Sequence, residues 1–245
     1  AEASECRNPV VFMERYHKLT FESMGKLKSD FEKFPSFSIL DDVYPFSLCE
    51  IYDAPVLLFY KGDLNLLKLP KVAVVGSRSC SQIGTKSVRK IIEELENELV
   101  VVSGLARGID TAAHMSVLQT GGKTIAVIGT GLDVYYPRSN KRLQEYIGEH
   151  HLLLSEYGPG EEPLKYHFPA RNRIIAGLCR GVIVAEAKMR SGSLITCERA
   201  MEEGRDVFAI PGSILDGRSD GCHHLIQEGA KLATCGQDIL AEFEF

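Results

Sequence analysis

Several loops of this sequence combine glycine, serine and arginine in ways suited to holding an anion. Gly76-Ser77-Arg78 follows the apolar run Val72 to Val75, with Gly84 close behind. Glycine permits the tight turn, the free amides of a following helix attract negative charge, and Arg78 supplies a forked donor. Ser103 to Asp110 follows Leu99 to Val102, Gly129-Thr130-Gly131 follows Thr124 to Ile128, and Ser191-Gly192-Ser193 and Pro211-Gly212-Ser213 come after later apolar runs. Taken singly, each is also an ordinary turn: Asp110 suits the N-cap of a helix beginning at Thr111, Ser193 suits another cap, and His114 suits a packed histidine. Their number is what favours a ligand.

The densest stretch runs from Lys165 through His167-Phe168-Pro169-Ala170-Arg171-Asn172-Arg173 to Gly177. Pro169 fits the first turn of a helix, which puts Arg171 and Arg173 toward the positive end of its dipole and calls for a compensating anion. Lys165 to Arg190 holds six basic residues (Lys165, Arg171, Arg173, Arg180, Lys188, Arg190) against the single acid Glu186, within a chain of net charge -5. This contrast reads as a localised positive patch, with a surface salt-bridge cluster as the bland alternative. Phe168 either stacks on a base or staples the helix entrance. Tyr135 and Tyr136, beside Arg138 and Lys141, either offer a ring face or simply pack.

These loops must be positioned by something. Short runs apolar throughout (Val56–Tyr60, Lys71–Val75, Leu99–Val102, Thr124–Ile128, His151–Leu154, Gly181–Ala185, Asp206–Ile210) alternate with helical stretches such as Ile83 to Glu98, where Val88, Ile91, Ile92 and Leu95 recur at helical spacing. That alternation predicts an α/β fold, an extended Rossmann-like, doubly wound and mostly parallel sheet covered on both faces, with its ligand crevice beyond the strands' carboxyl ends. Residues 1 to about 50 read as an appendage with turn formers at Pro35, Asp41-Asp42 and Pro45. Seven cysteines without a C-x-x-C pair point to reduced thiols and a cytoplasmic setting. There is no apolar run of membrane-spanning length and hence no membrane partner is expected. The absence of G-x-G-x-x-G argues against a dinucleotide, Gly122-Lys123-Thr124 precedes a strand instead of following one, and His223-His224 lack metal-ligand spacing, so no cofactor and no metal are expected.

Taken in order, Gly76-Ser77-Arg78, Ser103 to Asp110, Gly129 to Asp133, Phe168 to Gly177, Ser191 to Thr196 and Pro211-Gly212 resemble the blocks of the DNA-processing protein A family, also called DprA or Smf, over about Ser36 to Leu240. The resemblance implies a non-enzymatic cytoplasmic homodimer that binds single-stranded DNA in natural transformation and loads the RecA recombinase. It places the family's phosphate-binding arginine on Arg78 and further DNA contacts on Arg138, Lys165, Phe168, Arg171 and Arg173; Gly76, Ser77, Asn172 and Ser193 from the same loops complete the expected DNA-binding set. It places the dimer and recombinase contacts around Met201, His223, Leu225, Ile226, Gln227 and Leu232. It also implies that residues 1–37 are the helical tail of an N-terminal domain similar to a sterile-alpha-motif domain, and that 38–245 form the DNA-binding domain. A competing reading is a phosphoribohydrolase-like nucleotide enzyme in which Glu186 and Arg173 form the reacting pair, although its Pro-Gly-Gly-x-Gly-Thr block is missing.

Overall fold

The computed structural model describes residues 32–243, so most of the helical tail expected over 1–37, residues 1–31, lies outside the described residues. One nine-stranded sheet organises the chain. In chain order its elements are β1 (Ser36–Ser38), α1 (Phe46–Cys49), β2 (Leu57–Gly62), β3 (Lys71–Gly76), α2 (Gln82–Glu94), β4 (Val100–Ser103), α3 (Ile109–Thr120), β5 (Thr124–Ile128), α4 (Lys141–His150), β6 (Leu152–Ser155), α5 (His167–Leu178), β7 (Gly181–Ala185), α6 (Gly192–Glu202), β8 (Asp206–Ala209), α7 (Asp220–Gln227), β9 (Lys231–Leu232) and α8 (Gln237–Leu240). The strand order is β1-β2-β6-β5-β4-β3-β7-β8-β9. β3 to β9 run parallel, while β1 and β2 close one edge antiparallel.

Burial explains why these strands carry apolar side chains at every position instead of alternating. Ala73, Val75, Val100, Val102, Ile125, Val127, Leu152 and Leu154 point to one face, under α1, α5, α6 and α7. Their neighbours Val72, Val74 and Val101 point to the other, under α2, α3 and α8, and Ala126, Ile128 and Leu153 pack there with Ile147 of α4. Period two therefore sends alternate residues into two separate cores. The doubly wound parallel sheet expected from the sequence is the fold of the chain.

Residues 36–51 are not part of the appendage that their turn formers suggested. Phe37, Tyr44, Leu48 and Ile51 are buried, and all four belong to the larger core. Strand β1 pairs Phe37 with Leu58, so it straddles the expected boundary at residue 37. Its three residues are too few to show periodicity.

Helix starts follow local chemistry. Ser81 accepts from the Gly84 amide to cap α2, and Ser191, not the expected Ser193, accepts from the Leu194 amide to cap α6. α2 also stops earlier than its apolar pattern suggests, because Glu96 and Asn97 take φ of 49° and 65°. Helix α5 begins at His167, making Pro169 its third residue, where the missing amide costs no intrahelical bond.

Candidate functional site

The chain winds from β3 through β4, β5 and β6 on one side of the sheet, and through β7, β8 and β9 on the other. The reversal leaves a crevice between the loops after β3 and β7, where open α/β sheets bind ligands. A hollow of about 710 Å³ opens there. A second, of about 470 Å³, lies over the ends of β4 and β5. The two share Arg78, Ala106, Tyr136 and Phe168, which form a ridge between them. Nine of the ten residues expected to bind DNA line the first hollow, namely Gly76, Ser77, Arg78, Lys165, Phe168, Arg171, Asn172, Arg173 and Ser193; Arg138 lines the second.

Proximity does not give these residues one role. Arg171 is 3% exposed and reaches under the hollow, donating from Nη1 to the carbonyls of Gly104 and Val127 at the ends of β4 and β5, and from Nε to Asn172 Oδ1 at 3.0 Å. A Cβ at position 104 would collide with the Arg171 guanidinium, so glycine lets that buried group approach the strand ends this closely. Burial draws the Arg171 pKa down to about 10, opposed by Asp110 and reinforced by the Arg78 cation. Asp110 is itself buried and accepts from the Gly104 and Ala106 amides at 3.2 and 3.3 Å. Burial pushes its pKa up, and the Arg171 cation is the strongest force holding it down.

Asp110 is thus not the N-cap of its helix. That position is Gly108, with φ of 78°, and Asp110 braces the preceding loop from the first turn of α3. Asn172 donates to Thr196 Oγ1 at 2.8 Å and joins α5 to α6. The Ser193 hydroxyl donates to the Gly76 carbonyl at 2.9 Å, tying two of the glycine loops together.

The expected six-residue positive patch is divided. Arg173 hydrogen-bonds both oxygens of Glu156 at 2.7 and 2.9 Å and Asp53 at 2.9 Å, so the compensating anions are the protein's own. Burial opposes its charge, but these carboxylates hold its pKa above the usual arginine value. Arg180 immediately precedes β7, at the opposite end of the sheet, and Arg190 is exposed without lining either hollow. Linear charge counting could not see this partition, because Asp53 and Glu156 come from distant segments.

Other cations take their place. Arg107 lines the second hollow and Arg199 the first, beside Lys188, which the charge count had included. Arg107 sits in one of the glycine loops singled out above, whereas Arg199 lies on α6, where a helical arginine carries no local signal of its direction. Arg78, Arg107, Arg138, Lys165, Lys188 and Arg199 are exposed, with no carboxylate in ion-pair range among the described residues. The acids on the walls are Asp110, Glu162 and Glu203. The Arg78 guanidinium lies over the Phe168 ring, 5.0 Å from its centroid, and Tyr136 meets the same ring at 5.3 Å and 42°. Phe168 is therefore inside the helix and on the ridge, not a staple ahead of the helix.

Glu186 is already engaged. It accepts from the Ser81 amide at 2.7 Å and from the Ser81 hydroxyl, at the start of α2. Arg173 is held elsewhere by Glu156 and Asp53, so the pair required by the nucleotide-enzyme reading is not assembled. His114 is packed as expected, its Nδ1 2.7 Å from Thr124 Oγ1. No cluster of metal-ligating side chains occurs among the described residues.

Of the residues expected at dimer or recombinase contacts, Leu225 is 1% exposed and belongs to the core, so it is not available to a partner. Met201 and Ile226 are half-buried against that core. His223 contacts the Gly212 carbonyl at 3.1 Å, and Gln227 and Leu232 are exposed, the latter on edge strand β9.

The sequence matches a known family: the model for DNA recombination-mediator protein A covers residues 36–244. The chain belongs to that family. The DNA processing protein DprA of Streptococcus pneumoniae is 79% identical over 245 residues, which is all of this chain and 86% of that protein. DprA of Bacillus subtilis is 47% identical over 201 residues, 81% of this chain and 68% of its own length. The X-ray structure of S. pneumoniae DprA superimposes with a TM-score of 0.91 at 80% identity, covering 99% of this chain and 84% of that one. DNA processing protein A from Helicobacter pylori, whose structure concerns its single-stranded DNA binding mode, aligns with a TM-score of 0.76 at 29% identity, over 86% of this chain and 96% of that one.

Proposed function

We propose that this chain binds single-stranded DNA along the two-hollow cleft, without catalysing a reaction on it. The observation that carries the reading is the row of six exposed cations with no carboxylate partner among the described residues, around an aromatic ridge at the switch point of the sheet. Cations placed this way exchange condensed counterions for phosphates, and rings among them suit unpaired bases better than a closed duplex. Gly76, Ser77 and Ser193 shape the wall, while Arg171, Asn172 and Arg173 hold the floor and flank. The single-stranded DNA binding of the H. pylori relative supports the same assignment.

Within this reading the protein serves natural transformation, protecting incoming DNA and loading the RecA recombinase as a homodimer. Met201, His223, Ile226, Gln227 and Leu232 are the contact residues proposed for partner copies or recombinase. A cytoplasmic setting agrees with six free cysteines among the described residues and with the lack, among them, of a helix long and apolar enough to cross a membrane.

Fluorescence anisotropy with a labelled single-stranded oligonucleotide tests the binding. Arg78→Ala combined with Lys165→Ala is expected to weaken binding to every single-stranded sequence by a similar factor, with duplex of equal length bound more weakly throughout. Undiminished affinity in that double variant would remove the cleft from the function.

A further inference from the structure

Two of the cations in the second hollow stand on different loops, Arg107 on the one after β4 and Arg138 on the one after β5. A buried side chain joins those loops. Asn140 ends the short 3-10 turn that Arg138 begins, and its Nδ2 donates to the Leu105 carbonyl at 2.9 Å and to Thr111 Oγ1 at 2.8 Å. The Thr111 hydroxyl in turn donates to the Ala106 carbonyl at 2.6 Å. Both carbonyls that immediately precede Arg107 are therefore held from the Arg138 turn, one directly and one through Thr111. The backbone there needs such holding, since Leu105 takes φ of 56°, a conformation that L side chains rarely adopt. One helical turn further on, the buried Gln144 donates to the Leu132 and Val134 carbonyls at 3.2 and 3.1 Å and fastens the loop after β5 to α4. Asn140, Thr111 and Gln144 line neither hollow.

We propose that Asn140 is a positioning residue: its amide sets the loop bearing Arg107 against the turn bearing Arg138, so that both cations meet a strand's phosphates as a fixed pair. The inference rests on the single-stranded DNA reading above and adds to it a group that does not touch the strand. Loops that moved independently would have to be ordered when the strand binds, at a cost to affinity. A buried amide on one loop, bonded to the backbone of the other, completes that ordering during folding. Alanine at position 140 removes both donors and leaves the Leu105 carbonyl and the Thr111 hydroxyl without their link to the Arg138 turn.

Anisotropy titrations of a labelled single-stranded oligonucleotide at several salt concentrations compare Asn140→Ala in the wild-type background and in Arg107→Ala/Arg138→Ala, with urea midpoints taken alongside. Removing the two arginines flattens the logarithmic salt slope by about 1.4. Asn140→Ala is expected to weaken binding about 3- to 10-fold and to move the slope part of the way toward that value, yet to change neither affinity nor slope when added to the double variant. Its loss of stability is the same in both backgrounds, which separates positioning from structural weakening. Thr111→Val, which keeps the shape of the side chain and removes only its hydroxyl, shows the same dependence on background and decides the matter should Asn140→Ala not fold. A weakening of equal size in both backgrounds, a stability loss with affinity and slope intact, or a double variant that binds like the wild type overturns the proposal while the broader reading stands. A wild type that binds no oligonucleotide overturns both.

Discussion

The partition of arginines into engaged and free predicts how binding responds to salt. Six exposed cations, Arg78, Arg107, Arg138, Lys165, Lys188 and Arg199, line the cleft without a carboxylate partner among the described residues. For single strands the logarithm of the binding constant falls with the logarithm of salt by about 0.7 per phosphate neutralised, so full engagement gives a slope near about -4 and a loss of about 300-fold between about 50 and 200 mM salt. Replacing Arg78, Lys165 and Lys188 together by alanine halves the number of contacts; the slope is then about -2 and the loss over the same interval about 20-fold. Arg173→Ala removes a cation already held by Glu156 and Asp53, and Arg180→Ala removes one at the far end of the sheet; both leave the slope at the wild-type value. Anisotropy titrations at four salt concentrations measure all of these. A triple variant that keeps the wild-type slope, or an Arg180 variant that lowers it as far as the triple variant does, would refute the assignment of the cleft.

Gly104→Ala puts a methyl against the Arg171 guanidinium, displacing it from two strand-end carbonyls; a loss of about 2 to 4 kcal/mol is expected in denaturant unfolding. Burial lowers the His114 pKa to about 3, so this histidine stays neutral in the fold where the unfolded chain protonates it near pH 6.5; burial also lowers the pKa of His151, which therefore takes up its proton less readily folded than unfolded. Stability is thus full above about pH 6.5 and falls as pH drops toward 3, by up to about 1.4 kcal/mol per pH unit from His114; His114→Gln flattens that fall without removing the part due to His151, as measured by urea midpoints from pH 7 to 4.5. Glu186→Gln weakens the cap of α2 by about 1 kcal/mol in thermal unfolding, and neither it nor the wild type releases free base from nucleoside monophosphates in a chromatographic assay; release by the wild type would revive the enzyme reading.

Much of the fold was legible because the strands of a doubly covered parallel sheet carry a strong and simple signal. Val72 to Val75 has no polar position to spare for solvent, and every such run beyond residue 70 became a strand. Short antiparallel elements lack that signal. Ser36–Ser38 is polar at two of three positions, and only its pairing with Leu57 to Phe59 makes it part of the sheet. Helix starts fell within a few residues of expectation, since capping depends on which of two nearby serines the backbone presents. Ser191 and Ser193 are both chemically able, and the extended φ and ψ of Ser191 decide the choice.

The site was legible as a set of loops but not as a division of labour. A sequence shows where arginine occurs, and only the fold shows what each guanidinium meets. Arg171 and Arg173 are separated by one residue on α5, and the 100° rotation per residue along a helix sends them in different directions: one under the strand ends toward Asp110, the other outward to Glu156 and Asp53. Both are held before any ligand arrives, which is why neither contributes to the expected salt slope. Such engagement is also what a cleft for a flexible strand requires. Free cations around the opening can exchange small ions for phosphates with little rearrangement, but only if the loops bearing them stay in place when those ions leave. Gly104, Asp110, Arg171 and Ser193, bonded to each other's loops and to the strand-end carbonyls, supply that fixed frame. Loss of Arg171 is therefore expected to show first as lowered stability and only then as weakened binding, the reverse of the order expected for Arg78.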